Sequence, residues 1–299
     1  MRFPDLTTAR GNPFSGHRPT VITLASDFGS PYPAAMRGVI CARSGARIED
    51  IAHDFPRQDI RAAAFWLREV VPYFPPATHC VVVDPGVGTD RAALVVEAGG
   101  HRVVAPDNGV ALPVARRLAG EDSTPEPGTA DDEATADVDT GNESATDGAA
   151  GIRVWEVEYD DAETASNTFH GRDVFAPAAA AVHDADSVGD IERCRPTDEW
   201  VDLRFPDPAV GETTATGEVL VVDGFGNAIT NVPGDVLDGL EEVRVDGEPT
   251  PVRRAYAALA EGRRLVTVGS HGNVELAVNR GRGDEAFGVG VGDEVRLAW

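Results

Sequence analysis

The sequence predicts two folded parts: an α/β domain with a mostly parallel sheet over residues 20–190, and a small C-terminal β-barrel domain over 217–299. Three observations predict them. Residues 20–118 alternate short apolar runs with one helical stretch, the rhythm of strands and crossover helices. From Gly217 the apolar runs shorten and are separated by glycine turns, as in small barrels. The 299 residues, 42% of them hydrophobic, suffice for two cores.

In chain order, residues 1–19 have no apolar leader core and read as a loose tail. "TVITLAS" (20–26) is a buried-strand run that ends at Asp27. "RQDIRAAAFWLREVVPYF" (57–74) puts Ile60, Ala64, Trp66, Leu67, Val70 and Val71 largely on one helical face. "HCVVVD", "AALVVEA" and "HRVVAPDNG" read as further strands that run into polar turns. Residues 121–150 carry ten acids and no base, too little apolar surface to offset the entropy of ordering, and predict a disordered insertion at about 120–150. "GIRVWEVEY" (151–159) alternates like a strand, and "HGRDVFAPAAAAVHDA" (170–185) opens a helix. The proline-rich, polar stretch 191–216 reads as a linker. Strands then follow to the end, broken by one helical turn in "AYAALAEG" (255–262).

Charge narrows the function. A net charge of −24 disfavours nucleic-acid partners, which require cationic surface. All 26 basic residues are arginine; a dense acidic, lysine-free chain predicts a halophile's cytosol, where salt screens self-repulsion. Without lysine, Schiff-base chemistry and a lysine-bearing phosphate loop are excluded. No run of 18 apolar residues predicts a membrane span, and the expected location is cytoplasmic. Cys41, Cys80 and Cys194 show no paired spacing, which argues against a disulfide framework or structural zinc. HExxH, GxGxxG and GxSxG are all absent, against a metalloprotease-type site, a dinucleotide site and a serine hydrolase.

Polar groups recur at predicted strand ends, where open α/β sheets bind ligands: Asp27, Asp84, Asp107-Asn108 and the His170-Arg172-Asp173 cluster. Any one of them is equally a turn-former or a helix cap. As a set, Asp84, Arg91 and His170 could hold and activate one water, or the carboxylates and His170 could hold a divalent cation. In the C-terminal part, Asp223, Asn227 and Ser270 either build hairpin turns or line a polar cleft walled by Phe225.

The ordered stretches "ITLASDFG", "IAHDFP", "VVVDPGVGTDRAALVV", "VVAPDNGV", "TFHGRDVFAPAAA", "GEVLVVDGFGNAITN" and "NVELAVN" resemble the S-adenosylmethionine (SAM) hydroxide adenosyltransferases, adenosine-forming SAM hydrolases related to SAM-dependent fluorinases and chlorinases. The resemblance covers 20–118 and 151–299. It implies a homotrimer with sites between the N-terminal domain of one subunit and the C-terminal domain of its neighbour. It implies attack of water on the ribose C5′ of SAM, giving adenosine and L-methionine, with SAM as substrate and neither cofactor nor metal. By match to the motifs, Asp84, Arg91 and His170 handle the water and Asp27 holds the ribose hydroxyls. Asp223 and Ser270 meet the methionine end and Asn227 the adenine; Asn108, Phe225 and Val278 complete the binding set. Halogenating relatives typically carry tyrosine at the position of Asp84. Ala92, where many relatives have a second arginine, His271, where halogenases tend to have arginine, and the acidic insertion depart from the pattern. A halogenase and a non-catalytic SAM or adenosine binder are the competing readings.

Overall fold

The computed structural model describes residues 20–121, 151–159, 164–166 and 168–299. The expected tail (1–19) and nearly all of the expected acidic insertion (122–150) lie outside them. The described residues group into two compact units.

The first unit holds β1 (Val21–Ser26), α1 (Tyr32–Cys41), β2 (Arg47–Ala52), the last residue of α2 (Ile60–Val70), β3 (Thr78–Val82), β4 (Ala93–Ala98), β5 (His101–Pro106), α3 (Leu112–Ala119), β6 (Arg153–Val157), α4 (Ala176–Asp184) and β7 (Cys194–Pro196). Its seven strands pair in the order β2-β1-β3-β5-β4-β6-β7. β1, β3 and β4 are buried nearly throughout, as their uninterrupted apolar runs demand. Met36 and Ile40 of α1, Phe175 just before α4 and Ala179 within it close over Ile22, Leu24, Cys80 and Val104 of the sheet.

The sheet is mixed rather than mostly parallel. β2, β1, β3 and β5 run parallel, while β4 pairs antiparallel with β5 and β6, and β6 with β7. The cause is the link Gly99-Gly100, both at positive φ (55° and 82°), which reverses the chain in two residues and leaves no length for a crossover helix. A side chain at Gly99 would also strike the Leu118 carbonyl oxygen, at 2.4 Å from its Cβ.

The order around β1 positions the site. From β1 the chain crosses through α1 to β2 on one side, and returns to lay β3 on the other. The carboxyl ends of β1 and β3 therefore flank a topological switch point, where a crevice opens in such sheets.

The second unit comprises Asp59–Glu69 and Asp202–Trp299. It holds β8 (Ala209–Val210), β9 (Thr214–Val222), β10 (Ala228–Pro233), β11 (Glu242–Val245), β12 (Glu248–Pro251), β13 (Arg264–Val268), β14 (Asn273–Val278), α5 (Gly283–Phe287) and β15 (Glu294–Ala298). The order is β12-β11-β15-β9-β10-β14-β13, with β8 on β9, and every strand pairing is antiparallel. Val252, just past β12, bridges Val266 of β13, so the sheet nearly closes into a barrel around Val219, Val232, Val266, Leu276 and Leu297. The apolar face of α2 packs Ala62 and Phe65 against Leu220, Val221 and Ile229, and Arg61 pairs with Glu218 at 2.5 Å. The proline-rich stretch 191–216 supplies β7, β8 and the start of β9; its prolines suit short edge strands. "AYAALAEG" makes a single 3₁₀ turn, Tyr256–Ala258.

Candidate active site

At the carboxyl ends of β1 and β3 lies a cavity of about 540 Å³, lined by Asp27 and Phe28, by Asp84, by Gln58 and by Phe169 and His170. That volume suits a ligand of nucleoside size.

Asp84 follows β3, and Arg91 reaches it across the turn "PGVGT". Thr89 closes the turn on the Gly86 carbonyl, and Gly88 takes the left-handed conformation that the reversal needs (φ 79°). The guanidinium then forks onto the carboxylate. Arg91 Nε donates to Asp84 Oδ1 at 2.8 Å, and a second guanidinium N–H donates to Oδ2. The Gly86 N–H adds a third bond to Oδ1 at 3.1 Å. The side chains are only 4% (Asp84) and 10% (Arg91) exposed, so this is a buried bidentate pair, far more rigid than a surface ion pair. The face of Phe175 backs the guanidinium at 5.5 Å.

His170 stands at the mouth of a π-helical turn, Gly171–Phe175, that leads into α4. Such turns widen the helix by one residue and recur at functional sites. The imidazole is 1% exposed and meets the ring of Tyr159 edge-on at 5.6 Å, while the Tyr159 hydroxyl donates to the Arg91 carbonyl. Tyr159 thus braces both partners. Next along the turn, hydrogen bonds from Arg172, against some burial, hold the Asp173 carboxyl below its usual range. A Cβ at Gly171 would sit 3.2–3.3 Å from Met36, Phe169 and Phe28, so glycine lets the turn approach the wall of the cavity. That wall is a trio of edge-to-face rings, Phe28, Tyr32 and Phe169, with centroids 5.4–6.4 Å apart.

Asp27 accepts from the Gln58 N–H at 2.6 Å, with Gln58 itself at φ 61°. Asn108 does not line the cavity. Its amide donates to the Val83 carbonyl and its oxygen accepts from the Val110 N–H, which ties the β5 turn to the end of β3. Asp107 accepts from the Val201 N–H.

In the second unit, Asp223, Phe225 and Asn227 occupy the β9–β10 turn and Ser270 the β13–β14 turn. Asp223 accepts the backbone N–H groups of Phe225 and Asn227 through Oδ1 and the Asn227 amide through Oδ2. The Phe225 ring is 81% exposed. Val278 is buried at the end of β14 against Gly281. A polar chain continues from this turn: Asn227 donates to the Tyr256 hydroxyl at 3.4 Å, Tyr256 donates to Glu275 Oε2 at 2.7 Å, and His271 meets Glu275 Oε1 at 3.1 Å. Burial, then the Glu275 carboxylate, push the Tyr256 phenol up, which keeps it a donor. Because Asp223 is acceptor-only, the Asn227 amide nitrogen must face it.

Gly269 gives this chain its room: a Cβ there would lie 2.3 Å from Glu275 Oε1 and 2.4 Å from His271 Nε2. Gly269→Ala is expected to destabilise the second unit by about 1–3 kcal/mol, read as a lower urea midpoint at unchanged m-value.

Sequence reasoning missed the aromatic trio, Tyr159 and the Tyr256–Glu275 link. Phe28 and Phe169 adjoin motif residues in "SDFG" and "TFHG", and Glu275 lies within "NVELAVN", a signal that was available; Tyr159 lies in none of these stretches. Among the described residues, no group of three or more His, Cys, Asp or Glu converges to hold a metal ion, and no helix is long and apolar enough to cross a membrane.

Comparison with known proteins places the chain in a family. The SAM hydroxide adenosyltransferase N-terminal domain matches residues 22–140, and the C-terminal domain of the same family matches 217–296. A protein of Salinispora arenicola named (R)-S-adenosyl-L-methionine hydrolase is 35% identical over 282 residues, 92% of this chain and 97% of that one. A protein of the same name from Thermus thermophilus is 36% identical over 286 residues, 92% and 98% of the two chains. The crystal structure of an uncharacterised conserved protein from Thermotoga maritima superposes with a TM-score of 0.72 at 30% identity, over 93% of this chain and all of that one. With both domains matched in order and relatives aligned nearly end to end, the chain belongs to the SAM hydroxide adenosyltransferase family.

Proposed function

We propose that this chain hydrolyses SAM to adenosine and L-methionine, and that Asp84, Arg91 and His170 carry the water. The observation that carries the reading is the buried Asp84–Arg91 fork on the cavity that His170 and Asp27 also line. A water oxygen bonds to C5′ as the C5′–S bond breaks. The electron pair leaves on sulfur, giving the neutral thioether of methionine, and the water's proton is lost to solvent by way of the site. The leaving group needs no acid, so the enzyme's task is to hold water in line and accept its proton. The fork fixes Asp84 in one rotamer at the wall of the cavity. Arg91 balances the charge of the carboxylate and leaves its Oδ2 a further lone pair for the water. A carboxylate here repels a halide, which favours hydrolysis over halogenation.

Asp27 holds the ribose hydroxyls as an acceptor pair. Asp223 and Ser270 take the methionine end, Asn227 the adenine, and Phe225 and Val278 apolar contacts, with Asn108 supporting the turn beside Asp84. The exposed Phe225 ring supports an assembly in which a neighbouring subunit supplies these groups, as a homotrimer would. The setting is the cytoplasm of a halophile, in line with the lysine-free, strongly acidic composition. The relatives' name specifies the (R) form. With the amino-acid carbon already fixed as L, the descriptor falls on the sulfonium, and we take the (R)-sulfonium epimer as the preferred substrate here.

Incubation with each SAM epimer in molar salt, with and without EDTA, tests this by chromatography of the products. Adenosine and methionine in equal amounts, faster from the (R) epimer and indifferent to EDTA, is the expected result. Saturable binding with SAM left intact would make the chain a sensor, and a 5′-halo nucleoside formed in halide would make it a halogenase. Loss of activity in EDTA would return the carboxylates to a metal role.

A further inference from the structure

The stretch "IAHDFP" has no part in the chemistry above, yet its histidine stands directly behind Asp27. Ser26, the last residue of β1, is fully buried, and a buried hydroxyl needs a partner. Its partner is His53 Nδ1 at 2.7 Å. The other ring nitrogen, Nε2, meets Asp50 Oδ1 at 2.9 Å, and Asp50 is paired in turn with Arg37. An ionised carboxylate only accepts, so Asp50 takes the Nε2–H and leaves Nδ1 to accept from Ser26. Burial alone would raise the Asp50 carboxyl, but the hydrogen bonds and charges of Arg37 and His53 together hold it below its usual range.

The backbone is shaped for this contact. Residues three apart on a regular strand face opposite ways. Opposite the Leu24–Ala25 step, β2 carries one extra residue, with Leu24 paired to Asp50 and Ala25 to Ala52. This shift of register lets Asp50 and His53 come to one side, as local breaks in a ladder re-aim side chains beside sites. The carbonyl of His53 also accepts from the Gly29 N–H at 2.8 Å. His53 therefore grips the chain on both sides of Asp27, at Ser26 by its ring and at Gly29 by its carbonyl.

We propose that His53 is a positioning residue: through Ser26 it fixes where the Asp27 carboxylate stands in the cavity, and so sets affinity for the ribose. The inference rests on the reading of Asp27 as the ribose-binding carboxylate.

The test compares kcat and KM for SAM hydrolysis in His53→Ala, His53→Asn, Ser26→Ala, His53→Ala/Ser26→Ala and Asp27→Asn, each checked by thermal melt. Loss of one positioning hydrogen bond is expected to raise KM about tenfold with kcat nearly unchanged. His53→Ala and Ser26→Ala should each show this, and together should cost no more than either alone. His53→Asn, whose amide oxygen takes the place of Nδ1 but loses Asp50, should recover most of the affinity. Wild-type KM in His53→Ala and Ser26→Ala, with Asp27→Asn raised, would overturn the positioning role and leave Asp27 standing. Asp27→Asn with a wild-type KM would overturn the reading of Asp27 and the inference together. Should His53→Ala fail to fold, His53→Asn and Ser26→Ala decide: a raised KM in Ser26→Ala, with His53→Asn near wild type, supports it, and an unchanged KM in Ser26→Ala overturns it.

Discussion

Asp84→Asn is expected to lower the turnover of SAM by about 10²–10⁴-fold, the range a positioned acid–base group contributes, while adenosine binding stays near that of the wild type. Asparagine keeps the shape of the side chain and loses two things. It cannot accept a proton from the attacking water, and it no longer balances the charge of Arg91. The second loss complicates the first, because the pair is buried, with Asp84 only 4% exposed. Removing one partner of a buried pair costs about 3–5 kcal/mol of stability. Turnover is therefore to be measured on protein shown to be folded at the assay temperature, with adenosine binding measured by calorimetry on the same preparation. A folded variant that binds adenosine and still turns SAM over within twofold of wild type would remove Asp84 from the chemistry. Lost binding of adenosine would instead make the fork a scaffold for the cavity. Arg91→Gln provides the complementary case: it keeps the proton acceptor but leaves a buried carboxylate without its cation, so it should cost stability in the same way while lowering turnover less.

The parts of the site that sequence exposes are those written in short local patterns. Asp27 and Asp84 were legible because an apolar run that ends on a carboxylate marks the end of a buried strand, and strand ends are where such sheets bind ligands. His170 was legible as the residue that opens a helix, although nothing local foretold the π turn that seats it. The antiparallel half of the first sheet was not legible. β4 and β5 have the same uninterrupted apolar runs as parallel strands, and only the two glycines between them reverse the chain. The partner of α2 was hidden for a similar reason. Periodicity marks the face of Ile60, Ala64, Leu67 and Val71, whereas Ala62 and Phe65, on the other side of the helix, are the residues that meet β9 and β10. Contacts across long separations, such as Phe28 with Phe169 or Tyr256 with Glu275, leave no trace in spacing. His53 beside Asp54 looks like any turn until Ser26 is found against its ring.

A second pair of histidines predicts how the protein fails in acid. His79 in β3 and His101 at the start of β5 are stacked in the interior, with centroids 5.2 Å apart and His79 Nε2 at 2.9 Å from His101 Nδ1. Thr23 holds the remaining nitrogen of His79 at 2.7 Å. Burial, and then the charge His101 would carry, push His79 down to about 3; burial alone pushes His101 down to about 4. Between pH 6.5 and these values the unfolded chain takes up protons that the folded chain refuses, so acid favours unfolding. The contribution is complete above about pH 6.5 and is lost as pH falls towards 4 and then 3. Depressions of this size correspond to several kcal/mol, with the two sites too strongly linked to be summed. His183, also pushed down by burial, adds to the loss with the same sign. Asp50 and Asp173, held below the usual carboxylate range, lose stability with the same sign but only at pH values below that range. Urea midpoints taken between pH 7 and 4.5 in constant molar salt should therefore fall steadily. The same series in His79→Leu/His101→Leu should run nearly level, even if that variant starts less stable. A level wild-type series, or an equal slope in the double variant, would mean that the pair accepts protons without cost and that acid acts on this fold elsewhere.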